Sequence, residues 1–511
     1  MRLVHFKRLA REWAGLLGAP ASRGAYQASA YALTALLLLL AALYTWQQSE
    51  PIFPVDDAYI VSHNAEQLLS RAPDARFVGT PPVAGSTSAV HLVLVAAFAL
   101  VLPVLWAQWC VMILGALAYA LAVLRLGYVL GVSILEAWLL LALSLLVAQT
   151  PHQLLNGLET SWALAALTLA IAAVRDAHGR RWELPVLCGL MPFLRPELSV
   201  VSALLLAQRV HQDFRKQGLH GVAGSLGYAA AAALPWVLLD WASLGTPFPN
   251  TIGAKRNFFA EGCRSSARRA SALESALFGF QDDVGILYWV VCLLPVTALG
   301  RFGVLFGALF AYAYYAAGPG LLRHYEHRYL YLLLPWLIYA LGQALTARRA
   351  IRALSAGFLV LCLGQAAIQQ PERWRWHLGW LDFTRSELQP LARWLDVHAR
   401  GSKILIHDAG YVGFAVHAPL VDLVGLKTPA SLAPHRELTW PQCTKDARGR
   451  AIAQIAERAQ PQYLVVLEDW DRIFGITDGL RKRHWQLAPR YQGAKYRVFQ
   501  LSHTEASQFP P

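Results

Sequence analysis

Two adjacent carboxylates, Asp56 and Asp57, stand in the segment Pro54-Val55-Asp56-Asp57-Ala58-Tyr59-Ile60, about ten residues after the first long apolar run. A carboxylate beside a second one near a membrane surface can act as a general base, because crowding and partial desolvation raise one of the two pKa values. The same residues also suit the start of a helix over 58–69, where an aspartate caps the first turn. Cations gather in two further segments, Pro249-Asn250-Thr251-Ile252-Gly253-Ala254-Lys255-Arg256 and Leu322-Arg323-His324-Tyr325-Glu326-His327-Arg328-Tyr329. Lysine and arginine at such places suit a phosphate held at the membrane surface. A loop anchored to lipid headgroups is the plainer alternative for the first segment, and a salt bridge through Glu326 for the second. Histidines there read as hydrogen-bonded structural groups, and no zinc-ligand spacing is present. Two polar interruptions complete the set, Asn156-Gly157-Leu158-Glu159-Thr160 and Arg195-Pro196-Glu197. Arg195 and Glu197 either pair with each other or line a cavity with Tyr59, Glu159 and Asn250.

These groups need elements to bring them together, and composition says what kind. Of 511 residues, 56% are hydrophobic and only 15% charged, with a mean hydropathy of +0.37. Together with repeated apolar runs of ~20 residues, this indicates a polytopic α-helical membrane protein and excludes disorder, collagen and small disulfide scaffolds. The balance of 45 basic against 32 acidic residues gives a net charge of +13. In such a chain, basic loops set topology and meet anionic headgroups, so nucleic acid is not expected as a partner.

The basic start 1–23 reads as cytoplasmic, and Tyr26–Trp46 as a retained first span without a cleavage site. The apolar run 89–103 is too short to cross. Counting it as a juxtamembrane helix puts the later basic loops on one side, as the positive-inside bias requires. The remaining spans fall near 104–124, 134–149, 160–174, 183–194, 197–208, 219–239, 284–299, 302–317, 328–346 and 351–368, about eleven in all, with 183–208 a short pair. The N-terminus is then cytoplasmic, and the acidic loop 48–88, the loop 240–283 and the C-terminus face outward. Residues 1–370 form the membrane module. In 371–511, charge density rises and strand-length runs appear at Lys403–His407, Pro419–Leu423, Tyr463–Leu467 and Tyr496–Leu501, with helical stretches at Glu387–Ala399 and Ala451–Arg458. This predicts a C-terminal soluble α/β domain. Asp408 and Asp422 within it suit turn and capping positions or acceptor hydroxyls. Cys263 and Cys443 lie outside the apolar segments and can pair in an oxidising compartment.

The ordered set of motifs resembles the GT-C superfamily of membrane glycosyltransferases that use polyprenyl-phosphate sugars. It is most like the arabinofuranosyltransferase branch. The resemblance lies in Asp56-Asp57-Ala58-Tyr59-Ile60, Asn156–Thr160, Arg195-Pro196-Glu197, Pro249-Asn250-Thr251 followed by Lys255, and His327-Arg328-Tyr329-Leu330. It continues in Asp408-Ala409-Gly410-Tyr411-Val412-Gly413 and Val421-Asp422-Leu423-Val424-Gly425-Leu426, so it runs along nearly the whole chain. Ala84-Gly85-Ser86-Thr87-Ser88 departs from the family's Gly-Tyr-Thr or Gly-Tyr-Ser turn. The resemblance implies an inverting transfer of a sugar, arabinofuranose in this branch, from polyprenyl phosphate to a glycan, a lipid-linked saccharide or an exported protein such as a pilin. It places the reaction at the outer, periplasmic face of a bacterial inner membrane. It implies Asp56 as base with Asp57 orienting it or the acceptor, in either order. Donor phosphate falls to Lys255 and Arg328, with Arg256, Arg323 and His324 as further candidates. No cofactor or metal is required, although some superfamily relatives use a divalent ion. An O-antigen ligase or polymerase, a lipid-linked sugar flippase and a non-catalytic scaffold are the rival readings.

Overall fold

The computed structural model describes residues 23–47, 50–70, 72–176 and 178–503; the expected basic start, apart from Arg23, and the tail from Gln508 lie outside them. Among the described residues, five helices are long and apolar enough to cross a membrane by length and composition: Val104–Leu130, Leu198–Leu244, Ser266–Val296, Ala298–Ala317 and Arg349–His398. Shorter apolar helices accompany them at Ala89–Ala99, Ile134–Leu146, Thr160–Arg175, Glu183–Leu194 and Leu330–Leu345. Arg23–Gln47 is a further helix of 25 residues. Large side chains such as Leu238, Trp241, Leu305, Leu361 and Ile368 stand exposed on the long helices. Apolar surface on that scale belongs against lipid, and the chain is a membrane protein.

The local chemistry explains where these elements begin and end. Ile134–Leu146 starts with a capping box in which Ser133 and Glu136 satisfy each other's backbone N–H groups. Ser88 caps Ala89–Ala99 by accepting the His91 N–H. Leu198–Leu244 breaks at Gly218 (φ 62°, ψ −147°). Ser225 Oγ donates to Asp213 Oδ2 at 2.6 Å. Twelve residues of straight helix would separate the two by about 18 Å, so the element is a hairpin that folds back on itself at the glycine. The expected separate segments 197–208 and 219–239 are the two arms of this hairpin, and their helices extend through the polar turn because Arg209 pairs with Asp213 at i,i+4, 2.8 Å.

The last long helix, Arg349–Phe383, runs unbroken through position 370 with Pro371 inside it, and carries Trp374, Trp376 and Trp380 beyond the apolar stretch. A π-helical turn, Thr384–Leu388, and the helix Gln389–His398 follow. The C-terminal region then forms a five-stranded sheet from β1 (Ile404–Ile406), β2 (Leu420–Asp422), β3 (Tyr463–Leu467), β4 (Trp485–Gln492) and β5 (Tyr496–His503), in the order β2-β1-β3-β5-β4. β1 is parallel to both β2 and β3, with Ile404 opposite Leu420 and Tyr463, whereas β5 is antiparallel to β3 and β4. Four of the strands lie where the apolar runs predict them. β4 is an addition, an edge strand whose polar faces and Pro489 hide it from pattern reading. The core of this domain is shared with the membrane module, because Ile60, Phe77, Ala254, Phe258, Phe259 and Leu321 pack into the same apolar cluster as Leu391, Ile404 and Val465.

Candidate active site

The acidic pair lies at the start of the helix Asp57–Ser70, and its two carboxylates turn away from that helix to different partners. Asp56 reaches the C-terminal domain. Its Oδ2 accepts the Gly410 N–H at 2.8 Å and its Oδ1 the Tyr411 N–H at 2.7 Å. A Cβ at Gly410 would collide with the Asp56 side chain and carbonyl, so only glycine lets the two backbones approach this closely. Asp57 reaches the opposite way, its Oδ2 accepting Lys255 Nζ and an Arg328 guanidinium N–H, each at 3.1 Å.

Electrostatics separates the two groups further. Burial and then the neighbouring Asp408 carboxylate push Asp56 well above the usual carboxylate range, against the lowering effect of the Tyr411 N–H. Burial works on Asp57 in the same direction, but Lys255 and Arg328 outweigh it and hold Asp57 well below that range. One carboxylate is therefore a poised proton acceptor and the other a permanent anion that anchors two cations. Arg328 is 4% exposed, and its Nε and remaining terminal nitrogen have no hydrogen-bond partner among the described residues. A buried guanidinium with donors to spare is costly unless an anion completes it.

Two cavities lie near these groups, one lined by Asp56 and the other by Lys255. Asp56 opens on one of about 600 Å³ between the loop 323–326, the end of the last long helix and the C-terminal domain. Its aromatic wall includes Trp376, Trp380, Trp470 and Tyr496, and its polar groups include Asp408 and His324. Burial, then Lys255 and Arg328, push His324 down to about 3, so it is a neutral group there. The second cavity, about 250 Å³, has Lys255 and Arg256 at its polar end and Val200, Phe310, Ala313 and Leu321 along its apolar walls.

The remaining expected site residues divide. Arg256 packs over Trp440 at 4.3 Å, on the apolar cavity, while Arg323 donates to Ser275 Oγ and faces the larger one; the five expected phosphate residues thus do not form one cluster. Arg195 pairs with both Glu159 (3.2 Å) and Glu197 (3.3 Å) and stacks on Tyr329 at 4.9 Å, as Arg328 does on that ring. Glu197 also accepts Tyr314 Oη at 2.7 Å and reaches the apolar cavity. Tyr59 is 1% exposed, its hydroxyl accepting the Phe53 N–H at 2.9 Å and its ring packed on Tyr411. Asn250 is a clamp. It accepts the Gly85 N–H at 3.0 Å and donates to the Leu426 carbonyl at 3.0 Å, joining the Ala84–Ser88 segment to the domain.

Asp422 accepts the Val424 and Lys427 N–H groups at 2.8 and 2.9 Å and shapes a turn, whereas Asp408 faces the large cavity. The sequence leaves these two alike, and its apolar patterning gives no sign of the tryptophan wall. Asp283, Glu326 and His327 each place a ligand atom within 4.8 Å of the others. Asp283 is already paired with Arg373 at 2.7 Å and His327 at 2.8 Å, so a guanidinium supplies the cation of that cluster. Cys263 and Cys443 form a disulfide, which ties the loop after the helix Thr251–Phe259 to the C-terminal domain.

Comparison with solved structures places this architecture. ArnT from Cupriavidus metallidurans, in the apo state, superposes with a TM-score of 0.50 over 92% of this chain and 98% of that one, at 13% identity. The two chains share a fold over nearly their whole length. Two further structures are similar at lower scores. Arabinofuranosyltransferase AftD from mycobacteria (R1389S mutant) covers 95% of this chain at 16% identity and TM-score 0.41, although this chain spans only 42% of AftD. The oligosaccharyltransferase AglB from Archaeoglobus fulgidus, in complex with an inhibitory peptide and a dolichol-phosphate, covers 89% of this chain and 71% of its own at 12% identity and TM-score 0.42. A domain family of unknown function, DUF8728, matches residues 377–506. No curated protein matches the chain in sequence. Within this fold, the acidic pair stands on the loop after the first long helix, and the C-terminal domain closes over it.

Proposed function

We propose that this chain is an inverting glycosyltransferase that moves a sugar from a polyprenyl-phosphate carrier to an acceptor. The observation that carries the reading is the division of labour between Asp56, open on the larger cavity, and Asp57, which anchors Arg328 and the Lys255 that lines the apolar one. A lipid phosphate suits that second site. Its charge meets Lys255 and Arg256 at the polar end, and its tail suits apolar walls that reach the long helices through Val200, Phe310 and Ala313. The acceptor enters the larger cavity, where its hydroxyl oxygen attacks the anomeric carbon from the face opposite the phosphate. The carbon–oxygen bond to phosphate breaks as the new bond forms, and the acceptor proton passes to Asp56. Lys255 and Arg328 stabilise the charge growing on the leaving phosphate, so no general acid is needed.

Arabinofuranose is the sugar we propose, on the motif resemblance and on the fold. A glycan, a lipid-linked saccharide or an exported protein such as a pilin is the acceptor. The outer face of a bacterial inner membrane is the place, with the C-terminal domain periplasmic; the Cys263–Cys443 disulfide supports that side, because such bonds persist in oxidising compartments. The test is transfer by the purified chain in lipid nanodiscs, with Arg328→Ala compared with wild type. The variant is expected to lose donor kcat/KM about 100-fold while acceptor KM holds. Equal donor kinetics in the two proteins would remove the phosphate assignment.

A further inference from the structure

The C-terminal domain does more than cover the site, because it places a third carboxylate beside the first. Asp408 lies at the carboxyl end of β1, two residues before the Gly410 N–H that holds Asp56. Its carboxylate is the neighbouring charge that acts most on Asp56, and Tyr496 Oη donates to its Oδ2 at 3.0 Å. Both carboxylates open on the same cavity of about 600 Å³. The position is one that parallel sheets reserve for ligands. In the order β2-β1-β3, the chain leaves β1 toward β2 on one side and returns to β3 on the other. The crevice outside the carboxyl ends of β1 and β3 is the topological switch point of such a sheet. Asp408 follows β1, and Asp469 and Trp470 follow β3 into the same cavity. The recorded partners of Asp56 and Asp408 are neutral N–H and O–H donors, in contrast to the two cations on Asp57. A second carboxylate beside the first makes Asp56 hold a proton more readily.

We propose that Asp408 is a positioning residue for the transfer reaction: it aligns Asp56 and shares with it the proton taken from the acceptor. The inference rests on the glycosyltransferase reading above. In the reactive form Asp56 is ionised, as it is above its raised pKa. The acceptor oxygen forms its bond to the anomeric carbon, the electron pair of the old bond leaves with the phosphate, and the acceptor proton passes to Asp56. The pair then carries one negative charge, with the proton between Asp56 and Asp408, and releases it to water as product leaves.

The pH dependence follows with a definite sign. The pair works as a base only when ionised, so the rate falls as pH drops through its raised pKa. Asp57 neighbours Asp56 on its own segment, Tyr411 bonds it from the domain through its N–H, and Tyr325 lines the cavity opposite. Arg323, His324 and Glu326 face it across the cavity, and Asp469, Lys495 and Tyr496 face it from the domain. His324, neutral down to about 3, does not titrate in the working range. Glu326 is pushed up by burial and then by Asp283, and Glu326→Gln is therefore the control.

The experiment is kcat/KM against pH for the full chain in nanodiscs, alongside infrared titration of the carboxyl band without substrate. Asp408→Asn removes a like charge, so the acid limb is expected to move down by roughly one pH unit and kcat to fall about tenfold or more. Tyr496→Phe removes a donor to the ionised form, and its limb is expected to move up; Glu326→Gln is expected to leave the limb in place. The wild-type infrared titration is expected to show a carboxyl protonated above the ordinary range, absent from both Asp408→Asn and Asp56→Asn. An unmoved limb in Asp408→Asn, whether or not the rate falls, overturns the proposal, as does a wild type without the raised carboxyl. Should Asp408→Asn fail to fold, Tyr496→Phe and the wild-type titration decide alone. A raised carboxyl in a protein that transfers no lipid-phosphate sugar would leave the pair standing and sink the transfer reading.

Discussion

At the residue scale, the site turns on how one pair of adjacent aspartates is divided between two environments. The sequence makes the pair conspicuous, because charge beside an apolar run needs a physical reason, and the same logic singles out Lys255 and Arg328. It does not show which aspartate is the base. That is decided by Gly410 and Tyr411, 354 and 355 positions away, and by the cations on Asp57. The two are therefore expected to fail differently. Asp56→Asn should lower kcat by ~10²- to 10⁴-fold with donor KM little changed. Asp57→Asn should raise donor KM, because Lys255 and Arg328 lose the anion that positions them. Kinetics with donor and acceptor varied separately distinguishes these outcomes, and identical defects in the two variants would contradict the division. Tyr59 and Asn250 show the opposite limit of sequence reading. Both lie in motifs that suggest a cavity, yet one is an aromatic core residue and the other a clamp between loops.

At the element scale, apolar periodicity gives the long helices and four of the five strands, since burial of one face leaves a pattern in the chain. It misses what polar segments do when tertiary contacts hold them. β4 is an edge strand with a bulge at Pro489, and the last long helix continues through Pro371 to Phe383, where Trp376 and Trp380 pack on each other and line the cavity. The element that matters most for function is the short loop after β1. Its Gly410 has no room for a Cβ against Asp56, so Gly410→Ala should displace that carboxylate and cut transfer about tenfold or more, while the apolar strands Ile404–Ile406 and Tyr463–Leu467 still pair. Circular dichroism together with the transfer rate checks this; a fully active Gly410→Ala protein would mean that the close approach is not needed.

At the scale of the whole molecule, the C-terminal domain is fixed to the membrane module by a shared apolar core, a disulfide and a buried polar latch. In the latch, His63 Nε2 donates to Asp74 Oδ2 at 2.7 Å, and Arg76 donates to His63 Nδ1 at 2.9 Å. Lys427 Nζ, fully buried, donates to Asn64 Oδ1 at 2.5 Å. Burial works against ionising Asp74, but the His63 hydrogen bond and then the Phe77 N–H hold its carboxyl down to about 2. A depressed carboxyl stabilises the folded state above its unfolded pKa, and the contribution is lost as pH falls through the folded one. Roughly 2 kcal/mol of folding stability should therefore disappear between about pH 4 and pH 2. Thermal unfolding of wild type across that window should show the loss, and Asp74→Asn should show a shallower one; parallel curves would contradict the latch. Alkaline phosphatase fused after Phe509 is expected to be active, whereas activity of a cytoplasmic reporter there would reverse the topology. The central claim is tested most directly by purified protein with a short-chain polyprenyl-phosphate arabinofuranose, scoring donor consumption and arabinosylated product for wild type and Asp56→Asn. The account predicts turnover by wild type and none above background by the variant; equal turnover by both would show that the acidic pair is structural and that the base lies elsewhere.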